Sequence, residues 1–383
     1  MGDQEYCFQC PLFTCVAGHR ATWFTSGLIL ANVIVGAGLL NFPSAYHDAG
    51  GIYCAVVTQA VCIAVVTVGM FMMAYCADQC GLGTYQCVVG HFCGPKAYLL
   101  CNIAIVLHNW GTCITMLVIV ADQIDSTVYF AYGADFCRHW FLRRSFTLSV
   151  ITVLVIFPFS FPKRMETYKF VSFLGVLATG YIVFLTIMEY YRTNTSDVVL
   201  KYRPDTFMDI FKVIPAICFS FEAHVEVIPL YAEFRNRNLK ELIKSISLAY
   251  FICLSVYTIV GIYGYLTFGE RVSTDLLTSY THMNIFLIIG MSFMVLKSVA
   301  SYPVLFFCAR LVLNCRRWAA YSFYEFRRRI VIIVTLVSIS LAIALVVPNI
   351  GSIIAILGGT ASLFIFVFPG ASKIYYIPSI ILP

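Results

Sequence analysis

Charged residues are scarce in this sequence. Lys, Arg, Asp and Glu make up 11% of the 383 residues, while hydrophobic residues make up 60%. A soluble globular domain carries roughly 25% charged residues. Long polar stretches are missing as well, because apolar runs of about 20 residues, the length that crosses a bilayer, recur along the whole chain. These two shortages exclude an enzyme-sized soluble domain and indicate an all-α, polytopic membrane protein.

Three further signals are missing. The N-terminal segment has no basic region followed by an apolar core and a small-residue cleavage site, so the first span is expected to direct membrane insertion itself. No nucleophile–base arrangement stands out, so an enzyme is not expected. The net charge of +6 does not indicate nucleic-acid binding. The basic residues sit in short loops beside spans, as the positive-inside rule describes.

Cysteine is plentiful, with 16 residues, but their positions do not indicate a disulfide framework. Most fall within spans, where cysteine behaves as a small, soft apolar residue. Near the start, Cys7, Cys10, Cys15 and His19 have the side chains of zinc ligands, but the spacing lacks a second, separated pair. A membrane-proximal cysteine cluster, open to palmitoylation, is the preferred interpretation, and no metal other than Na⁺ is expected.

Hydropathy predicts about ten spans. They are 22–46, 52–76, 97–121, 146–162, 168–191, 208–231, 243–268, 284–310, 329–347 and 350–370. The predicted organisation is a cytosolic N-terminal segment 1–21, a transmembrane domain 22–370 and a tail 371–383. A cytosolic N-terminus places about twice as many Lys and Arg residues on the cytosolic side as on the other. The Asn194 sequon then lies on the opposite side, where glycosylation occurs.

Two spans carry helix-breaking residues in matching positions of a five-span repeat. The first contains Gly36-Ala37-Gly38, and the sixth contains Pro215 and Pro229 around Ser220, Glu222, His224 and Glu226. Glycines that allow close packing and prolines that make simple kinks are one explanation. Paired interruptions with intramembrane ionisable groups instead favour a substrate site near the bilayer midplane.

Lys297 lies in the middle of the eighth span. A lysine there needs a carboxylate, a cage of carbonyl oxygens or a water-filled cavity, and Glu222 and Glu226 are candidate partners. The residue therefore belongs either to a structural ion pair or to a cation site in which its ammonium stands in for the ion. In the third span, His108 and Asn109 either line the pathway or are satisfied by neighbouring backbone.

Several stretches carry a resemblance to a known family. They include "GAGLLNFPSAYHDAGG" (36–51), "KFVSFLGV" (169–176), "SYPVLFFCAR" (301–310) and "PNIGSIIAILGGTASLFIFVFPG" (348–370). "GTCI" (111–114), "DQID" (122–125) and "LTFG" (266–269) also match. Taken in their order along the chain, these stretches resemble the amino acid/auxin permease superfamily and, within it, the sodium-coupled neutral amino acid transporters.

The resemblance implies a five-plus-five inverted repeat, the leucine-transporter-like fold, and symport of neutral amino acids across the lysosomal membrane, with glutamine as the leading substrate. It implies that Asn32 and Ser301 bind Na⁺. The substrate carboxylate is expected at the N–H groups of Gly36, Ala37 and Gly38. The ammonium is expected at the carbonyls of Phe219 and Ser220, helped by Glu222. Phe219, Phe221 and His224 are expected to shape the side-chain pocket.

Three departures from the family keep alternatives open. The sixth span reads Glu222-Ala223-His224, whereas the family usually has Cys-His at positions 223 and 224. Lys297 stands where relatives carry a small or apolar residue. The family's eleventh span is absent. An ammonium beside the ion site repels Na⁺ or exchanges a proton, so Lys297 and Glu222 are candidates for Na⁺ or H⁺ coupling. A Lys297–Glu222 pair would leave the sodium site usable.

Other functions remain as alternatives. A pocket that contains Glu222 can admit cationic amino acids. A transporter-like amino acid sensor without turnover is a second class, although the N-terminal segment is short for a docking region. A channel is a third class, but no filter-like loop or repeated pore ring supports it.

Overall fold

The structure, a computed structural model, describes residues 22–133, 139–161, 169–193, 198–232, 234, 238–282, 284–314, 322–347 and 349–372. The Asn194 sequon and the cluster of Cys7, Cys10, Cys15 and His19 lie outside the described residues. So do segment 1–21 and most of the predicted tail 371–383.

The described residues fold into helices that match the predicted spans. Their bounds are α1 Trp23–Ile34, α2 Gly38–Asp48, α3 Ile52–Cys80, α4 Tyr85–Tyr132, α5 Arg144–Phe159, α6 Lys169–Arg192, α7 Ile214–Phe221, α8 His224–Ala232, α9 Leu239–Phe268, α10 Ile285–Asn314, α11 Ser322–Val346 and α12 Ile350–Ser362. A helical turn, Asp209–Lys212, precedes α7. A π-helical turn, Leu363–Val367, continues α12.

The apolar length of these segments supports the membrane assignment. Among the described residues, six helical segments are long and apolar enough to cross a membrane, and the bent pair α1–α2 makes a seventh. Two shorter apolar helices, Arg144–Phe159 and Ile330–Val346, and the 24-residue α6 occupy the remaining predicted spans. The prediction of about ten spans therefore agrees with the order and position of the helices.

The interrupted helices lie at the centre of the packing. Helix α1 packs along α9, α7 packs along α12, and α10 packs along α4 and α6. One large core of buried apolar residues runs through all of these contacts. The interrupted pairs α1–α2 and α7–α8 are therefore held on several sides by continuous helices, which fixes where their broken ends lie.

Helix α4, which is kinked at Gly94 (φ 83°, ψ −180°), is longer than the predicted third span of 97–121. It continues to Tyr132, because polar groups at its end find partners. Arg144 donates to Asp122 at 2.5 Å and to Asp125 at 3.1 Å, and Gln123 donates to Asp275 at 2.6 Å. From hydropathy alone, these polar residues predict the end of a span. The structure shows that Gln123 and Asp275 form a buried pair and that Arg144 forms partly buried pairs with the two aspartates, so the helix continues past them.

Candidate substrate and ion site

The first span breaks where its glycines predict. Helix α1 ends at Ile34 and α2 begins at Gly38, with the two helices bent by 63°. Val35 has non-helical dihedral angles (φ −73°, ψ 85°). The last carbonyls of a helix have no partner within the helix, and the first amides of the next helix have none either. The break therefore presents a carbonyl end at Ile34–Val35 and an amide end at Gly36–Gly38.

Side chains from two other helices bind the carbonyl end of α1. The Tyr257 hydroxyl of α9 donates to Ile34 O at 3.0 Å. The Lys297 ammonium of α10 donates to Val35 O at 2.8 Å and to the Thr179 hydroxyl of α6, also at 2.8 Å. Both groups supply donors to the end of a helix that carries partial negative charge, which stabilises that end.

The sixth span is also interrupted, and here a carboxylate lies at the break. Helix α7 ends at Phe221, Glu222 is extended (φ −68°, ψ 124°), and α8 begins at His224. The Glu222 carboxylate accepts the His224 backbone N–H at 3.0 Å. Its other oxygen lies 3.6 Å from His108 Nε2. The amide end of α8 is therefore bound by the Glu222 carboxyl group.

Two tyrosines of α9 lie against the carbonyl end of α7. Tyr250 donates to Phe221 O at 2.8 Å, and Tyr257 lies 3.3 Å from Ser220 O. Tyr257 therefore reaches the last turns of both α1 and α7. A carbonyl oxygen has two lone pairs, so each of these oxygens can accept a further donor.

The open ends of the two breaks meet at Gly38 and Ser220. Side-chain atoms of Ser220 occupy the space that a Cβ at residue 38 would fill, so only glycine fits there. Ser220 is 3% exposed, and its hydroxyl has no hydrogen-bond partner among the described residues. A buried polar atom without a partner is costly, so this hydroxyl can gain a hydrogen bond from a polar group that enters between the two breaks.

Lys297 is not paired with either glutamate. No ion pair among the described residues includes Lys297, whose ammonium has Val35 O and Thr179 Oγ1 as partners. Glu222 instead meets His224 and His108, and one oxygen of Glu226 has no partner in the described part of the chain. The alternative of a Lys297–Glu222 pair is therefore wrong for this structure, because the two groups hold opposite ends of different helices.

Asn32 and Ser301, the expected Na⁺ ligands, lie on the helices that meet at Lys297. Asn32 is half-buried on the last turn of α1, and its Oδ1 fills the space beside Gly175, one turn before Thr179 on α6. Ser301 is half-buried one turn after Lys297 on α10. Oxygen atoms of this kind suit Na⁺. Two of the oxygens at this junction, Val35 O and Thr179 Oγ1, bind the lysine.

The three residues expected to shape the side-chain pocket of the sixth span lie in different surroundings. Phe219 lies beside the His108 ring, at 6.0 Å between centroids. Phe221 is fully buried against Phe42, Tyr250 and Tyr257, so it packs the core. His224 turns towards α3, where its Nε2 lies 3.2 Å from Val66 O.

Of the two pathway candidates in the third span, His108 and Asn109, one lies at a break and the other does not. His108 Nδ1 lies 3.1 Å from the Thr360 hydroxyl of α12, so its ring links that helix to Glu222. Asn109 donates to Ile105 O of its own helix at 3.0 Å, which satisfies its amide locally. The structure therefore brings His108 to the second break and leaves Asn109 in a local bond.

Sequence reasoning missed Tyr250, Tyr257 and Thr179. The seven-residue spacing of the two tyrosines puts them on one face of α9, and this signal was available in the sequence. Thr179 gave no such signal, because its role depends on a contact with Lys297, which is 118 residues away. In the described residues, no cluster of three His, Cys, Asp or Glu side chains is placed to hold a metal ion.

Comparison with solved structures shows a transporter fold. A Na⁺-coupled sialic acid symporter, solved in a substrate-bound outward-open state, superposes with a TM-score of 0.58. The match covers 91% of this chain and 79% of that one, at 13% identity. The inverted five-plus-five repeat of the leucine-transporter-like fold, implied by the resemblance, is therefore confirmed.

Comparison with known sequences defines the family more closely. The family described as transmembrane amino acid transporter protein matches residues 19–379. Sodium-coupled neutral amino acid transporter 7 of Danio rerio is 36% identical over 89% of this chain and 76% of its own length. The Homo sapiens protein of the same name is 35% identical over 92% and 79%. Solute carrier family 38 member 8 of Homo sapiens is 32% identical over 89% and 82%. The chain therefore belongs to the transmembrane amino acid transporter family and, within it, to the sodium-coupled neutral amino acid transporters.

Proposed function

We propose that this chain is a secondary active transporter that carries neutral amino acids, with glutamine as the leading substrate, by alternating access. One observation supports this above the others. The amide end of α2 and the carbonyl end of α7 meet at Gly38 and at the buried Ser220 hydroxyl, which lacks a partner among the described residues. A zwitterionic amino acid presents the complementary carboxylate and ammonium.

The charges at the two breaks support binding of a neutral substrate. Lys297 holds the carbonyl end of α1, and Glu222 holds the amide end of α8. The ends without an ionisable partner are the amide end at Gly36, Ala37 and Gly38 and the carbonyl end at Phe219 and Ser220, where the tyrosine hydroxyls leave each carbonyl oxygen one lone pair for a substrate. One end offers donors and the other offers acceptors, so the site matches the substrate backbone and adds no net charge for its side chain.

The names of the relatives support the coupling ion and the substrate class. Relatives at 34–36% identity are named sodium-coupled neutral amino acid transporters, so Na⁺ is a coupling ion to test beside H⁺, with Asn32 and Ser301 as its expected ligands. We assign the chain to the lysosomal membrane with its N-terminus in the cytosol and a transporter domain over 22–370. The bias of Lys and Arg towards one side of the membrane supports the orientation, and the resemblance to the family supports the location.

Flux measurements test the proposal directly. The full chain is reconstituted in proteoliposomes, and uptake of labelled glutamine is followed under a Na⁺ gradient, a pH gradient or neither. We expect saturable uptake that excess unlabelled glutamine abolishes and that empty liposomes lack. Saturable binding without any uptake would contradict transport and would favour a sensor.

The Ser220 hydroxyl provides the test of the site. We expect Ser220→Ala to raise the KM for glutamine by about 2- to 10-fold, since a neutral hydrogen bond contributes roughly 0.5–1.5 kcal/mol. The melting temperature should not fall, because the hydroxyl has no partner among the described residues. Ser292→Ala is the matched control, since the exposed Ser292 hydroxyl bonds only its own helix. An unchanged KM would remove Ser220 from the substrate site.

A further inference from the structure

Lys297 lies inside the junction where the helices that carry the expected Na⁺ ligands meet. Its ammonium is 2.8 Å from Val35 O, at the carbonyl end of α1, and 2.8 Å from Thr179 Oγ1 on α6. The side chain is 4% exposed, and no described carboxylate pairs with it. A buried cation held by a carbonyl and a hydroxyl has the oxygen surroundings that a monovalent metal ion takes.

Two further oxygen-bearing residues lie on the same helices. Asn32 lies on the last turn of α1, with its Oδ1 beside Gly175, and Gly175 is one turn before Thr179 on α6. Ser301 lies one turn after Lys297 on α10. Three helices therefore direct oxygen-bearing residues to one junction, and the ammonium already uses two of the oxygens.

We propose that Lys297 is a tethered cation that replaces Na⁺ at this junction, so that transport by this chain does not require Na⁺. The ammonium and Na⁺ carry the same charge and need the same two oxygens, and two like charges at this distance repel strongly in a low-dielectric interior. The proposal rests on the proposed function for its transport readout, and its binding readout is independent of it. It assigns Thr179, which the sequence did not indicate, as a ligand of the cation.

The charge also explains why the lysine is compatible with the break. The carbonyl end of a helix carries partial negative charge, and Na⁺ bound there would neutralise it. Lys297 provides the same single positive charge without dissociating. The break therefore keeps its local geometry at any Na⁺ concentration, and a Na⁺ gradient has no differential binding with which to shift the conformational equilibrium.

The first test is the Na⁺ dependence of flux. Glutamine uptake into proteoliposomes is measured in Na⁺ and in choline at equal ionic strength, for the unchanged chain, Lys297→Ser and the control Lys240→Ser. Lys240 is exposed at the start of α9. We expect the unchanged chain and the control to respond by less than about twofold, and Lys297→Ser to gain a dependence of at least about fivefold, as is typical of coupled sites. Loss of uptake by the unchanged chain in choline would overturn the proposal.

The second test needs no transport. The melting temperature of the purified chain is measured against Na⁺ concentration, with choline as the reference ion. A ligand that binds only the folded state raises the melting temperature in a saturable way. We expect Na⁺-specific stabilisation of Lys297→Ser, none of the unchanged chain, and loss of the effect in Lys297→Ser with Thr179→Val, because the second change removes a Na⁺ ligand.

The two tests distinguish failure of this inference from failure of the proposed function. Absence of uptake in every variant, together with Na⁺-specific stabilisation of Lys297→Ser alone, would contradict the transporter assignment and support the tethered cation. Saturable Na⁺ stabilisation of the unchanged chain, or no Na⁺ response from Lys297→Ser in either test, would overturn the tethered cation and leave transport intact.

Discussion

The two breaks share a backbone plan and differ in which helix end a side chain holds. At the first break, Lys297 and Tyr257 bind the carbonyl end of α1. At the second break, Glu222 binds the amide end of α8. Each charge has the sign that stabilises its own helix end. The chain therefore places an ionisable side chain at one end of each break, whereas the carbonyl end of α7 meets only tyrosine hydroxyls and the amide end of α2 lies beside Ser220.

Because the two breaks differ in this way, the site between them is not symmetric. Two identical breaks would offer a substrate the same two ends twice. Here the amide end of α2 and the carbonyl end of α7 meet across Gly38 and Ser220. Under the proposed function, an amino acid has one orientation in which its carboxylate and its ammonium both find partners.

Closing the contact between the breaks should have the largest effect. A Cβ in Gly38→Ala would overlap the Ser220 side chain, and overpacking of this kind costs about 1–3 kcal/mol. We expect glutamine flux to fall by roughly 5- to 150-fold at equal protein amount. The measurement is initial uptake, normalised to the monodisperse protein recovered by size-exclusion chromatography.

Gly180→Ala is the matched control for this change. It introduces the same methyl group in the middle of α6, where no neighbouring atom lies within 4 Å of the added Cβ. We expect unchanged flux and a gain of up to about 1 kcal/mol in stability, since alanine is the better helix former. Equal flux in Gly38→Ala and Gly180→Ala would mean that the breaks do not meet in the working protein.

Removing the hydroxyl that reaches both breaks should have the next largest effect. Tyr257→Phe leaves Ile34 O and Ser220 O without this donor, and a buried acceptor left unsatisfied costs roughly 1–3 kcal/mol. We expect about tenfold lower flux and a lower melting temperature. Initial uptake and thermal unfolding measure the two effects.

Tyr250→Phe tests whether reaching both breaks is what matters. Tyr250 bonds only Phe221 O, at the second break, so we expect a smaller loss than for Tyr257→Phe. Tyr53→Phe, at a tyrosine that is 78% exposed, should change nothing. A larger loss in Tyr250→Phe than in Tyr257→Phe would contradict the role of Tyr257 at the first break.

Removing the charge at the second break should have the smallest effect. Glu222→Gln keeps an oxygen acceptor for the His224 amide but loses the attraction to the amide end of α8, which is typically about 0.3–1 kcal/mol. We expect the KM for glutamine to rise by roughly 2- to 5-fold. Inhibition of glutamine uptake by arginine should stay weak and unchanged.

Glu270→Gln removes an exposed charge of the same kind and should leave both values unchanged. Strong inhibition by arginine that Glu222→Gln abolishes would show that the carboxylate faces the substrate. It would favour a transporter that also accepts cationic amino acids.

Most of the fold could be predicted from the sequence, because the bilayer imposes long apolar runs and penalises interruptions. Gly36-Ala37-Gly38 located the first break, and the polar residues around Glu222 located the second. The end of the third span was missed, because hydropathy counts Asp122 and Asp125 as polar residues whether or not they are paired. Their pairing with Arg144 depends on a neighbouring helix.

The site was predicted less completely, because its key contacts join distant parts of the chain. Lys297 stood out as a charge inside a span, but its partners Val35 and Thr179 come from two other helices. Glu222, a partner that the sequence suggested, instead binds the amide end of α8. His224 was expected at the substrate, but its ring lies towards α3, where it contacts Val66 O, 158 residues away in the sequence.

Tyr257 has a consequence for how the breaks separate. Its hydroxyl carries a single proton, so it donates to Ile34 O or to Ser220 O at any instant. Rotation about the C–O bond redirects the hydroxyl from one acceptor to the other, and the ring need not move. Tyr257 therefore connects the two interrupted spans through one side chain and can bond either of them.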